Sequence, residues 1–123
     1  MLTREEAIAA CLALPLTYED YPFDDTNWTT IRHIGNRKIF AFIFARDAQI
    51  WINVKAEPMW AEFWRNAFPA VRPAYHMNKK HWISIILDGS MKEEEICRLI
   101  QDSYDLTAPK LRSRTKKGKD CGP

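Results

Sequence analysis

Glycine is scarce in this chain, four in 123 residues, so a glycine-rich loop that cradles phosphate is hard to build. The sequence contains no G-x-G-x-x-G, P-loop, H-E-x-x-H or G-x-S-x-G, which removes the commonest signatures of dinucleotide, nucleotide, zinc-protease and serine-hydrolase sites. Cysteine is limited to Cys11, Cys97 and Cys121, an odd number at wide spacing, against a secreted disulfide framework. No C-x-x-C exists, and His76 and His81 are five apart, a spacing that turns two residues of an extended segment to opposite faces. No metal and no cofactor is therefore expected. Apolar runs long enough to span a bilayer, ~20 residues, are missing, as are the basic and apolar regions of a signal peptide. A cytoplasmic protein without a membrane partner is the expectation.

Large aromatics are plentiful. Five tryptophans and six phenylalanines, within a composition 46% hydrophobic and 28% charged, describe a globular chain able to bury one core without a staple. Two independent cores would each sit near the lower size limit, so a single domain is expected over residues 1–107. Charge is uneven although the net is only +2. The first thirty residues hold Arg4 against Glu5, Glu6, Glu19, Asp20, Asp24 and Asp25, whereas residues 108–123 hold six Lys and Arg against Asp120. That basic end reads either as a polyanion-attracting tail or as a solvated, flexible terminus. Cys11 and Cys97 lie beside apolar residues in helical patterns and read as small buried hydrophobes.

Thr3-Arg4-Glu5-Glu6 is a capping box that opens a helix ended by Pro15, and an acidic, aromatic loop follows over Tyr18 to Asp25. Three strands are predicted at Trp28 to Ile34, Lys38 to Ala45 and Gln49 to Val54, joined by short polar turns into an antiparallel meander. The middle one alternates Ile39, Ala41 and Ile43 with Phe40, Phe42 and Phe44, so it should be central and covered on both faces. Between Glu57 and Phe68 the period becomes helical, with Trp60, Phe63, Trp64 and Ala67 on one stripe. A strand at Trp82 to Leu87, an Asp88-Gly89 turn and a second capping box, Ser90 with Glu93, lead to a last helix whose inner face is Ile96, Leu99, Ile100 and Tyr104. The element order α-βββ-α-β-α predicts an α+β fold, an antiparallel sheet flanked by helices.

Groups able to do chemistry concentrate between Arg72 and Trp82. Arg72, Lys79 and Lys80 supply phosphate donors, and Arg32, Arg37 and Lys38 near the first hairpin extend the basic surface. A non-enzymatic nucleic-acid-binding module is the leading expectation. The alternative is a pocket for a small anion or a protein partner, with His76, Asn78 and His81 as oriented polar groups and Trp82 as its wall. In a purely structural reading, Tyr75, Met77 and Trp82 pack inward and Asn78 shapes the turn. Ser84 reads as a packed, sheet-facing hydroxyl and Asp88 as a turn residue, so no catalytic set stands out.

W-T-T-I-R (Trp28 to Arg32), K-I-F-A-F (Lys38 to Phe42), R-P-A-Y-H-M-N-K-K-H-W (Arg72 to Trp82), L-D-G-S (Leu87 to Ser90) and S-Y-D-L (Ser103 to Leu106) resemble the MmcQ/YjbR-like family of small bacterial proteins. The similarity runs over about residues 3–106, and H-M-N-K-x-H-W is its most specific part. It implies a CyaY/frataxin-like α+β fold and the family's DNA-binding label, in which β-hairpins approach nucleic acid as a double wing. The first helix offers only Glu5 and Glu6 where a frataxin-like acidic ridge would need more carboxylates.

Overall fold

Thr3 caps the first helix as its spacing from Glu6 predicts. In the computed structural model, which describes residues 1–110, α1 (Arg4–Leu12) starts with Glu6 N donating to Thr3 Oγ1 at 3.1 Å. Glu6 Oε1 accepts in return from Thr3 N at 3.0 Å and Leu2 N at 2.8 Å, and these donors hold its carboxyl below the ordinary range. Of the C-terminal segment expected from residue 108, residues 111–123, including Cys121, lie outside the described residues.

The predicted meander is present as β2 (Thr29–His33), β3 (Ile39–Arg46) and β4 (Gln49–Lys55), and β6 (Trp82–Ile86) pairs with β4. Two strands escaped the sequence reading: β1 (Thr17–Asp20) and β5 (Val71–Pro73), one at each edge of a six-stranded antiparallel sheet ordered β1-β2-β3-β4-β6-β5. Edge strands pair on one side only, so they need neither length nor apolar alternation, and β5 accommodates Pro73 for the same reason. Asp47 and Ala48, both at positive φ, form the tight β3–β4 turn, a left-handed pair that suits the twist of a two-residue hairpin.

A bulge decides which way the β3 aromatics point. Pairing with β2 jumps from Ile31↔Ala41 to Arg32↔Ile39, leaving Phe40 as the extra residue. Phe40 turns into the helix layer beside His33 and Tyr104, while Phe42 and Phe44 project from the opposite face. The helix layer comprises α1, α2 (Pro58–Ala67) and α3 (Glu93–Thr107), and its core pairs Ile43, Ile52, Val54, Ile83 and Ile85 with Ala7, Ile96, Leu99 and Ile100. This is an α+β domain in which α1, α2 and α3 all lie on one side of the sheet.

Two local expectations change, at the start of α3 and at Cys97. Helix α3 begins at Glu93 with Lys92 as its cap residue, whose N–H donates to Glu95 Oε1 at 2.8 Å, because Asp88 captures the Ser90 N–H and hydroxyl in its own turn. Gly89 completes that turn at φ +88. The apolar stripe of α2 is largely uncovered: Trp60 and Phe63 are half exposed, and Ala61 is the helix's buried residue. Cys11 is buried and its thiol is pushed up to about 12 by desolvation, but Cys97 is exposed, one position beyond Ile96 and so rotated off the inner face. No helix among the described residues is long and apolar enough to cross a membrane.

His33 is a buried imidazole between Phe40 and Tyr104, with Nε2 at 2.9 Å from Thr107 Oγ1. Thr107 already donates its hydroxyl to the Ser103 carbonyl, which assigns Nε2 as the proton-bearing nitrogen. Burial holds the His33 pKa below its ordinary value, outweighing the opposing pull of the Tyr104 backbone and Asp105. Because the folded value is depressed, the unfolded chain binds more protons as pH falls. The stabilisation is complete above the unfolded value of ~6.5 and is lost as pH drops through the folded one. Urea midpoints measured from pH 7.5 down to 5 should therefore decline less steeply in His33→Gln than in the parent; parallel curves would contradict this origin.

Candidate functional site

Strand alternation directs Thr30, Phe42, Phe44, Trp51, Asn53, Trp82 and Ser84 to the face that, among the described residues, carries no helix. Two loops, residues 21–28 and 74–81, roof that face. The first is tied down by Asn27, whose side chain exchanges hydrogen bonds with the Ala45 backbone at 2.9 and 3.0 Å and is gripped by Arg4. Trp28 then stacks on Phe44 with ring centroids 4.2 Å apart.

The second loop is pinned from below. Asn53 Nδ2 donates to the Tyr75 carbonyl at 3.0 Å, Tyr75 N donates to Ser84 Oγ at 2.9 Å, and the Ser84 hydroxyl donates to Asn53 Oδ1. Both side chains are fully buried, so their polar atoms need these partners. Tyr75 is thereby held against Phe44 and Trp51, and the Arg46 guanidinium lies over Tyr75 at 4.1 Å and Trp51 at 4.8 Å. Next to this anchor His76 adopts φ +60, a conformation that disfavours a residue bearing Cβ, and its ring sits 4.0 Å from that of Tyr75.

Two clefts open around His76. One, of about 340 Å³, is lined by Arg46, Trp51, Arg72, Tyr75, His76 and Lys79 with Pro73 and Ala74. Its charged lining is cationic throughout. Arg72 is steadied there by an Nε bond to the Pro69 carbonyl at 3.1 Å, and Arg46 makes a loose 3.9 Å pair with the exposed Asp47. The other, of about 360 Å³, is aromatic and apolar: Phe23, Trp28, Phe42 and Met77 with His76, and Asp25 as its charged member.

The residues singled out in the sequence divide. Arg72, Lys79 and His76 converge on the cationic cleft. Lys80 and His81 are exposed and line neither cleft, since Asn78 spends its side chain and carbonyl on a turn that bonds Lys80 N and Trp82 N. Trp82 is half-buried, edge-on to Phe42. Arg32 is bound to Asp20 at 2.7 Å and to the Arg37 carbonyl at 2.8 Å. Arg37 and Lys38 lie in the β2–β3 turn, at the far end of β3 from Arg46, roughly 25 Å of strand away. Among the described residues no group of three or more His, Cys, Asp or Glu could hold a metal. Arg46, Asp25, Trp28 and Trp51 were not singled out. Trp51 and Arg46 carry one usable signal, an aromatic and a cation at either side of a tight hairpin turn.

A helix-backed antiparallel sheet whose helix-free face is roofed by two anchored loops defines a class of small α+β domain. The chain belongs to the YjbR family, whose model matches residues 12–106. It is 33% identical to the Bacillus subtilis (strain 168) protein YyaQ over 118 residues, covering 87% of this chain and 99% of that one. It is 28% identical to Escherichia coli (strain K12) YjbR, covering 94% and 96%. Among solved structures, a Deinococcus radiodurans protein with a DUF419 domain superposes with a TM-score of 0.79 at 29% identity, covering 94% of this chain and 84% of that one. A Pseudomonas syringae protein superposes with a TM-score of 0.76 at 30% identity, covering 85% and 98%.

Proposed function

We propose that this protein is a cytoplasmic binding module for a small anionic ligand, received in the cleft between Arg46, Arg72, Lys79 and His76. The observation that carries this reading is convergence: three cations from three separate segments line one cleft with no carboxylate among its lining residues. Such a concentration of one sign within low-dielectric walls favours an anion far more than the same charges spread over a surface. Aromatic packing under Arg46 and the buried pins under Tyr75 fix the cleft in advance, which reduces what a ligand must order. The free thiols of Cys11 and Cys97 fit a reducing compartment.

The nucleic-acid reading draws on the same cations with Lys80, Arg32, Arg37 and Lys38, and has narrower support because Arg32 is already paired and the hairpin turn lies at the other end of β3. Calorimetric titration with inorganic phosphate and pyrophosphate at constant ionic strength, beside duplex DNA over a salt series, separates the two. Saturable phosphate binding should weaken about tenfold in Arg72→Ala and in Lys79→Ala, since a charged hydrogen bond contributes about 1.5 kcal/mol. No anion binding together with steeply salt-dependent DNA binding would replace the first reading with the second.

A further inference from the structure

The cationic and the aromatic clefts share one wall. His76 lines both, and it belongs to a loop whose backbone is fixed by two fully buried side chains, Asn53 and Ser84. We propose that the two clefts are halves of a single site for an anion carried on a planar aromatic ring, a nucleoside monophosphate being the chemical type. This rests on the anion-binding reading of the cationic half and adds the identity of what the anion is attached to.

The chemistry of the aromatic half sets the ligand class. Phe23, Trp28, Phe42 and Met77 present ring faces, ring edges and a thioether, surfaces that favour a flat ring system over a sugar or an alkyl chain. Trp28 and Phe42 meet nearly at right angles, 81° with centroids 6.4 Å apart, so two aromatic planes form a corner in the lining of the slot. Size agrees: each cleft, about 360 and 340 Å³, falls at the lower end of the range for small-ligand pockets, and together they suit a ring joined to a phosphorylated sugar.

Charge orients the ligand. Asp25 stands in the aromatic half, where its carboxylate repels a phosphate and accepts hydrogen bonds from ring N–H groups. One of its oxygens already takes the Asn27 N–H at 2.9 Å, which holds the carboxylate in place. The phosphate is thus directed past His76 to Arg46, Arg72 and Lys79. The left-handed backbone at His76 is strained for a residue bearing Cβ, and it sets the imidazole against Tyr75 where the two halves join.

Calorimetry with inorganic phosphate, ribose 5-phosphate, adenosine and the four common nucleoside 5′-monophosphates tests this. At least one monophosphate should bind tenfold or more tightly than ribose 5-phosphate. Phe23→Ala, a change at a half-exposed side chain, should abolish that advantage while leaving inorganic phosphate affinity unchanged. Phosphate binding with no monophosphate preferred over ribose 5-phosphate overturns the composite site and leaves the anion reading standing. If neither phosphate nor any monophosphate binds, both fall. A single-stranded decanucleotide binding tenfold or more tightly than every monophosphate overturns the free nucleotide as ligand and assigns the face to a polymer.

Discussion

Replacing Asn53 by leucine should lower the unfolding free energy by about 2–4 kcal/mol and detach the loop that carries His76. Asn53 is fully buried on the helix-free face, donating to the Tyr75 carbonyl and accepting from the Ser84 hydroxyl. Leucine is close in volume but offers neither function, so a half-buried carbonyl and a buried hydroxyl each lose a partner, at about 1–3 kcal/mol apiece. Urea denaturation read by tryptophan fluorescence measures the first effect, and amide hydrogen exchange at Tyr75 measures the second. Adding Ser84→Ala should cost less than the sum of the single changes, because the two side chains share one network. A stability within 0.5 kcal/mol of the parent, or strict additivity of the pair, would show that the loop is held by packing alone.

Ser103→Ala should be comparably damaging, by about 2–4 kcal/mol, although it removes a single oxygen. The bulge at Phe40 takes its carbonyl out of register with β4, where strand pairing ends at Ala41↔Val54. The buried Ser103 hydroxyl fills the gap from α3, accepting from Lys55 N at 2.8 Å and donating to the Phe40 carbonyl at 2.6 Å. A side chain of the helix thereby completes a ladder that two strands leave unfinished. Removing it strands one backbone donor and one acceptor where water has little access. Glu94→Ala, at an exposed position on the same helix, should stay within 0.5 kcal/mol of the parent. Equal midpoints for Ser103→Ala and Glu94→Ala in urea would sink the argument.

Parts of the fold were plain in the residues. The double apolar alternation of β3 announced a strand covered on both faces, and Thr3 with Glu6 announced the start of α1. Ser84 was correctly read as a packed hydroxyl facing the sheet, although its partners were not. The period of α2 was legible but not the direction of its stripe, because helical spacing of Trp60 and Phe63 is compatible with a core face or with a solvent-facing one. Arg72, Lys79 and His76, which line one cleft, stand out in the sequence because they are close together and chemically distinctive. Arg46, at the end of β3, and Asp25 and Trp28, in the loop of residues 21–28, do not stand out, since each resembles an ordinary strand or turn residue when taken alone.

Local periodicity and capping were enough to specify the class of fold, the central strands and the inner face of α3, and the motifs from Trp28 to Leu106 carried the family resemblance. Three features needed the folded chain: the edge strands, the direction in which Phe40 turns, and the meeting of two clefts at His76. Edge pairing, bulges and convergent cations are relations between segments distant in the chain. No local pattern encodes them, and only the sheet, by bringing those segments into register, gives the side chains a common surface.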